Sequence, residues 1–510
     1  MRNSRQPSIA IIGSGFSGLG LAIRLKQAGF TELTIFEKAD DVGGVWRDNT
    51  YPGAACDAPS HLYSYSFEPN PNWSRRFAEQ PEILEYLRHC ARKYDIRRHV
   101  RAGTEVVAAD FDVAAGSWTL TLAAGQTATA DILVSACGQL SRPAHPDLPG
   151  MDTFAGTVFH SARWDHDHVI DGRDVAVIGN GASAIQFVPH VAGRARTLTV
   201  FQRQAHWISP KPDYGYPRLR KAVNRRIPLA QKLSRLTVFV WFEGLLNPML
   251  VSPLGRRILS WPVRMWCRWN LRRVDDRELR ARLLPSYEVG CNRILTSNEY
   301  YDTLNRPNVS LTTSPIERVE RQGLVTADGA VHRADTIILA TGFRSHDFVA
   351  PIRITGSATA DLTAVWRERP RAHLGLAVPG FPNFFLMYGP NTNVGSGSIV
   401  HMLESQMNYI VGAARQLTRT GYLEVHPKVL ERFDDAVQRR LATTVWNTGG
   451  CNSWYLAKTA AGPANTNNWP GSMLGYRLRT RRVRRGDYRT APRIAPLVAA
   501  PRDVPEVAGE

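Results

Sequence analysis

The sequence predicts an α/β protein built from two Rossmann-like dinucleotide-binding domains with a helical insertion. Three observations predict it. Two short apolar runs each lead into a glycine-rich turn and then a helical pattern, about 165 residues apart. A stretch rich in Arg and Trp with helical periodicity, 213–285, follows the second of them. At 510 residues, 43% hydrophobic and 21% charged, the chain can hold several domains on ordinary cores, with no metal or disulfide staple required.

The first unit begins almost at once. Residues 1–8 are short and polar and carry no signal-peptide core, and 8–12 (SIAII) read as a buried parallel strand. Gly13-Ser14-Gly15-Phe16-Ser17-Gly18 comes next, then Leu21, Ala22, Leu25 and Ala28 on one helical face, with Gly29 as the stop. Gly13 suits the tight turn, Gly15 a close approach to a pyrophosphate, and Gly18 a helix lying on its strand. The helix N-terminus offers free N–H groups to phosphates. A second strand, 33–36, delivers Glu37, placed to accept from a ribose diol.

The second unit repeats the grammar. A strand at 174–178 (DVAVI) leads into Gly179-Asn180-Gly181-Ala182-Ser183-Ala184, then a helix through Gln186, Val188 and Val191, then a strand at 197–201. Where the first unit has Glu37, this one has Arg203. A carboxylate there would repel a 2′-phosphate and a guanidinium would hold it, so NADPH is expected rather than NADH. Two nucleotides bound together suit hydride transfer from a nicotinamide to a flavin.

Charge and cysteines exclude other classes. The net charge of +18 gathers in 211–282 and 477–493, without any zinc-finger, RNA-binding or helix-turn-helix signature. Solvated basic faces are expected, and no nucleic-acid partner. The six cysteines include no CxxC pair and match no metal or disulfide spacing. Free thiols in a reducing, cytoplasmic compartment are the expectation, and a disulfide reductase is disfavoured. The most apolar later stretch, 236–251, is broken by Glu243 and Asn247 and is too short to span a bilayer.

Between the two units, Phe154-Ala155-Gly156-Thr157-Val158-Phe159-His160-Ser161-Ala162-Arg163-Trp164-Asp165 fills every position of FxGxxxHxxxW(P/D). In this segment the chain resembles the Baeyer–Villiger monooxygenases. The resemblance runs from about residue 8 to about 490. Glu37 followed by Gly43-Gly44-Val45-Trp46 is similar to the FAD-binding segment of flavoprotein monooxygenases. It implies FAD at the first unit, with Gly44, Trp46, Gln139, His160 and Asn391 near the cofactors, and Trp454 against the nicotinamide nucleotide. Tyr51–Asp57 resembles the loop carrying the family's active-site Asp, and Gly290–Arg293 the loop carrying its active-site Arg.

The implied reaction inserts one oxygen from O2 beside a ketone carbonyl through a C4a-peroxyflavin, giving an ester or lactone. Arg293 would stabilise the anionic peroxide and Asp57 would orient Arg293. The alternative is oxygenation of N or S atoms, as in flavin-containing monooxygenases; Trp164 and Arg293 argue against it. Asn292 departs from the Lys the family often carries before its Arg, which leaves Arg203 as the main support for NADPH.

The expected layout is a FAD domain over 1–150 that returns at 335–490, and an NADP domain over 151–212 and 286–334. Residues 154–165 would link the two, and 491–510 would form a flexible tail rich in Pro, Ala and Val. The insertion, 213–285, would be a cap over the substrate pocket, with peripheral contact to an anionic membrane as its second reading. Neither the ketone nor the oligomeric state is readable from sequence.

Overall fold

The computed structural model describes residues 6–460 and 462–491. The expected tail, 491–510, lies outside the described residues except for Ala491, and so does most of the polar N-terminus.

Each unit is a five-stranded parallel sheet. The first has the spatial order Phe384–Leu386, Ile132–Ser135, Ile9–Ile12, Leu33–Phe36, Val100–Arg101. The second runs Val309–Thr312, Thr197–Phe201, Asp174–Ile178, Thr336–Leu339, Thr157–His160. The central strands are buried along their whole length, as parallel strands covered on both faces must be. A four-stranded sheet built on Val106–Asp112 flanks the first unit, and a three-stranded antiparallel sheet, residues 316–333, flanks the second.

Two features differ from the sequence reading. Strand Thr336–Leu339 belongs to the second sheet, so that unit reaches Leu339 rather than ending at 334. Its apolar run satisfies either sheet, and register is fixed by long-range pairing the sequence does not display. The segment at 154–165 is also more than a linker. Its residues Thr157–His160 form the edge strand of the second sheet, and Trp164 packs on Phe159 and Phe187.

The insertion is helical, as expected. Its main helices are Arg218–Arg226, Pro228–Trp241, Asn247–Val251 and Pro253–Leu271. Ser252 caps the last by accepting from the Gly255 N–H, and Pro253 suits its first turn. The inward faces share one core cluster with the C-terminal half, including Met249, Leu250, Val394, Trp446 and Tyr455. No single helix among the described residues is long and apolar enough to cross a membrane; one pair bent by 112°, Pro228–Val251 with Pro253–Leu271, passes by length and composition only.

The expectation of six free thiols is corrected. Cys291 and Cys451 form a disulfide across 160 residues, while Cys56, Cys90, Cys137 and Cys267 are free. Such a bond leaves no local spacing signal, because the fold alone brings its two loops together.

Candidate active site

The first glycine turn is built by sterics. Gly13 has φ +102°, and a Cβ there would come within 2.8 Å of the Ala136 carbonyl. A Cβ on Gly18 would meet the Gly13 carbonyl at 1.9 Å, so helix Phe16–Gln27 can rest on its strand only with glycine there. Gly15 lies against Gly44, and Gly43 donates to the Ser14 carbonyl at 3.1 Å, so the Gly43–Trp46 turn is part of the same site. Glu37 reaches back to this turn. Its Oε2 accepts from the Ser14 N–H and hydroxyl at 2.9 and 2.7 Å, and Arg47 stands 3.3 Å from its Oε1. Trp46 donates to the Tyr63 hydroxyl at 3.0 Å and extends an aromatic wall of Phe16, Tyr63 and Tyr65.

In the second unit, Gly179 repeats Gly13, with its own would-be Cβ 2.4 Å from the Ala340 carbonyl. A Cβ on Gly181 would meet open space, which suits the approach of a phosphate to the backbone there. Ser183 stands just before helix Ala184–Ala192. Arg203 is exposed and borders a hollow of about 380 Å³ with Arg282, Ser286, Thr313 and Asn452. Arg282, within a helix of the insertion, is a second cation that the sequence reading missed. Its only signal was charge in a region already full of it.

The loop with Asp57 lies between the units. Gln186, on helix Ala184–Ala192, accepts from Tyr51 and from the Ala55 N–H at 3.1 and 3.2 Å and donates to the Ala55 carbonyl at 3.1 Å. Asp57 then meets Arg293 in a two-point pair, Nε to Oδ2 at 2.6 Å and Nη2 to Oδ1 at 2.7 Å. The residues are 236 positions apart in sequence. Of the Arg293 side chain 30%, and of the Asp57 side chain 29%, stays accessible, so the pair keeps an open side.

Burial opposes ionisation of Asp57, but the Arg293 charge and hydrogen bonds, with Lys211 behind them, outweigh it and hold the carboxyl below its ordinary range. The Asp57 charge in turn raises Arg293 further. The Tyr455 hydroxyl, beside Arg293, is pushed up to about 12 by burial. Lys211, Tyr388 and Tyr455 are neighbours of the pair that sequence reasoning did not select.

The other expected residues divide. Gln139 is buried, donates to the Tyr388 carbonyl at 2.9 Å, and has no protein partner for its Oε1 among the described residues. His160 is buried at the end of its strand, accepting at Nδ1 from the Ala162 N–H at 3.0 Å. Burial first, then nearby His145, lowers it to about 4, so it is neutral. Asn391, at φ +55°, gives its amide to the carbonyls of Asn465 and Asn468 at 2.9 and 3.2 Å. It therefore stitches two loops together rather than presenting those donors to a ligand. Trp454 is 38% exposed, packed at a tilt of 41° on Tyr455, and its neighbour Asn452 lines the Arg203 hollow.

Two nucleotide cradles, an orphaned buried amide oxygen and a partly accessible cation fit a flavin and a nicotinamide nucleotide. Fold and site thus define a two-dinucleotide flavoprotein oxidoreductase. The flavin-binding monooxygenase-like family model matches residues 6–247. A Baeyer–Villiger monooxygenase of Streptomyces coelicolor is 43% identical, across 94% of this chain and 92% of its own. A steroid monooxygenase solved with NADP superposes at TM-score 0.83, 30% identical, over 95% of this chain and 99% of its own. OTEMO, solved with FAD and NADP, gives TM-score 0.83 at 29% identity over 96% and 100%. The chain belongs to the Baeyer–Villiger monooxygenases.

Proposed function

We propose that Arg293, held by Asp57, is the catalytic cation of this monooxygenase, which converts a ketone, O2 and NADPH with a proton into an ester or lactone, water and NADP+. The observation that supports this is the two-point ion pair, partly accessible, that joins the Asp57 loop to the Arg293 loop. FAD and NADPH, when bound, supply the two electrons that activate O2. Gly13, Gly15, Gly18, Glu37, Gly44 and Trp46 would hold the flavin nucleotide, with Gln139 Oε1 free to bond it. Gly179, Gly181 and Ser183 would receive the NADPH pyrophosphate, Arg203 and Arg282 the 2′-phosphate, and Trp454 would border the nicotinamide side.

Asp57 occupies Nε and Nη2 of Arg293, which leaves the Nη1 donors for an oxygen anion and for the charge that develops on the ketone oxygen during attack. A preorganised donor in such a position contributes about 3–4 kcal/mol. Asp57 fixes the guanidinium plane, and its depressed pKa keeps it ionised throughout the neutral range. His160, neutral and bonded to backbone, positions its loop and moves no proton.

Product mass on a ketone panel and a sulfide panel tests the reaction. Esters or lactones are expected, and sulfoxides alone would overturn it.

A further inference from the structure

The outward face of the insertion is inverted. Helix Pro253–Leu271 exposes Leu254 (68%), Ile258 (62%), Trp261 (66%) and Trp269 (59%), a stripe at helical spacing facing solvent. Helix Pro228–Trp241 does the same with Leu229, Leu233, Leu236 and Val240. More than half of the exposed large apolar side chains of the described residues lie between 218 and 273. Surface helices ordinarily turn such stripes inward.

The same 56 residues carry thirteen Lys and Arg against one acidic residue, Glu243, and so supply +12 of the chain's +18. Among the described residues, none of Arg226, Lys232, Arg257, Arg268 and Arg272 pairs with a carboxylate. Glu243 itself is engaged, accepting from the N–H groups of Met473 and Leu474 at 3.2 and 2.9 Å. It thereby docks helix Met473–Arg479, with exposed Leu474 and Leu478, beside the insertion, and joins the second basic stretch to the first.

We infer that this face is a docking surface for an anionic lipid bilayer, and that the enzyme takes lipophilic ketones dissolved in that bilayer. Tryptophans and leucines flanked by arginines match an interface whose headgroups are negative and whose acyl chains are apolar. A second copy of the chain is disfavoured, because two such faces would bring like charges together. The inward sides of the same helices, through Phe239, Leu259 and Val263, pack on the cluster holding Cys291 and Tyr455, next to Arg293. One helix layer, about 10 Å thick, therefore separates the lipid-facing stripe from the cluster beside the proposed catalytic pair. The cargo part of this inference rests on the proposed ketone oxygenation; the docking part does not.

The test uses full-length, FAD-loaded protein and sedimentation with vesicles of phosphatidylcholine alone or with about 30 mol% phosphatidylglycerol. Binding to the anionic vesicles is expected, weaker by at least tenfold on neutral ones. The pair Ile258→Ser and Trp261→Ser should reduce it at least tenfold while leaving turnover of a water-soluble ketone unchanged. Arg257→Glu with Arg268→Glu should weaken it and flatten its salt dependence. A long-chain 2-alkanone held in anionic vesicles should be oxidised at least fivefold more slowly by the Ile258/Trp261 variant. No binding to anionic vesicles, binding untouched by the Ile258/Trp261 pair, or a concentration-dependent dimer in its place overturns the docking surface. Vesicle binding with no ester from any ketone keeps the surface and overturns the proposed reaction instead. Equal rates of wild type and the Ile258/Trp261 variant on vesicle-held ketone overturn the delivery.

Discussion

At the residue scale, function depends on where individual charges point. Arg203 and Arg282 border one hollow from two elements, and neither charge is spent on an ion pair with a carboxylate among the described residues. Arg203→Ala should raise KM for NADPH about tenfold or more and leave KM for NADH almost unchanged, since a lost charge-assisted contact costs at least ~1.4 kcal/mol. Steady-state kinetics with both nucleotides checks this, and an equal rise for both would remove Arg203 from 2′-phosphate recognition. Much of the nucleotide chemistry was legible here, because glycine turns and strand-end residues are local grammar. Arg293 and Asp57 were not legible in that way. Their pairing spans 236 positions, and only likeness to a known family singled them out. Arg282, Lys211 and Tyr455 were hidden for the same reason: an ordinary Arg, Lys or Tyr carries no sign of the neighbours that folding will give it.

At the scale of elements, the loops rather than the sheets define the site. Gln186 ties the Asp57 loop to the helix of the second unit, and the Cys291–Cys451 disulfide ties the Arg293 loop to the loop of Asn452 and Trp454. A cross-link closing so long a loop stabilises by about 4–5 kcal/mol in the chain-entropy view, less any strain. Cys451→Ser should lower Tm by several degrees, and dithiothreitol should lower wild type to the same value. Equal Tm for wild type and variant without reductant would show that the bond contributes nothing. The strands at 33–36, 174–178 and 197–201 were legible to the residue, because an apolar run ending in a glycine turn or a charged residue permits little else. The allegiance of Thr336–Leu339 was not, because an apolar strand suits either sheet until its neighbours are known. The outward stripes of the insertion show the reverse case. The helical period was readable, but which side of the helix meets the core was not.

At the scale of the whole molecule, burial of neutral histidines sets the response to acid. His61, His160, His206, His373 and His401 are each held at about 4, with burial the largest cause. An unfolded chain takes up these protons near pH 6.5, before the folded one does. Stability is therefore full above about pH 6.5 and falls as pH drops from there to about 4, by on the order of 1–3 kcal/mol per group at most. Asp57 follows the carboxylate rule. Its ion pair persists until pH falls below the ordinary Asp range, so the histidines fail first. Urea midpoints measured from pH 8 to pH 4.5 should be flat at first and then decline; a midpoint unchanged to pH 4.5 would mean these imidazoles are not buried as described.

Whether one fixed guanidinium stabilises the oxygen-transfer step is decided by the ester formed per NADPH consumed by Arg293→Ala, with FAD loading and flavin reduction measured alongside. Normal FAD content, flavin reduction by NADPH within a few-fold of wild type, and ester formation lower by about 10²-fold or more are expected. Ester formation at the wild-type rate in Arg293→Ala would contradict this role of the guanidinium.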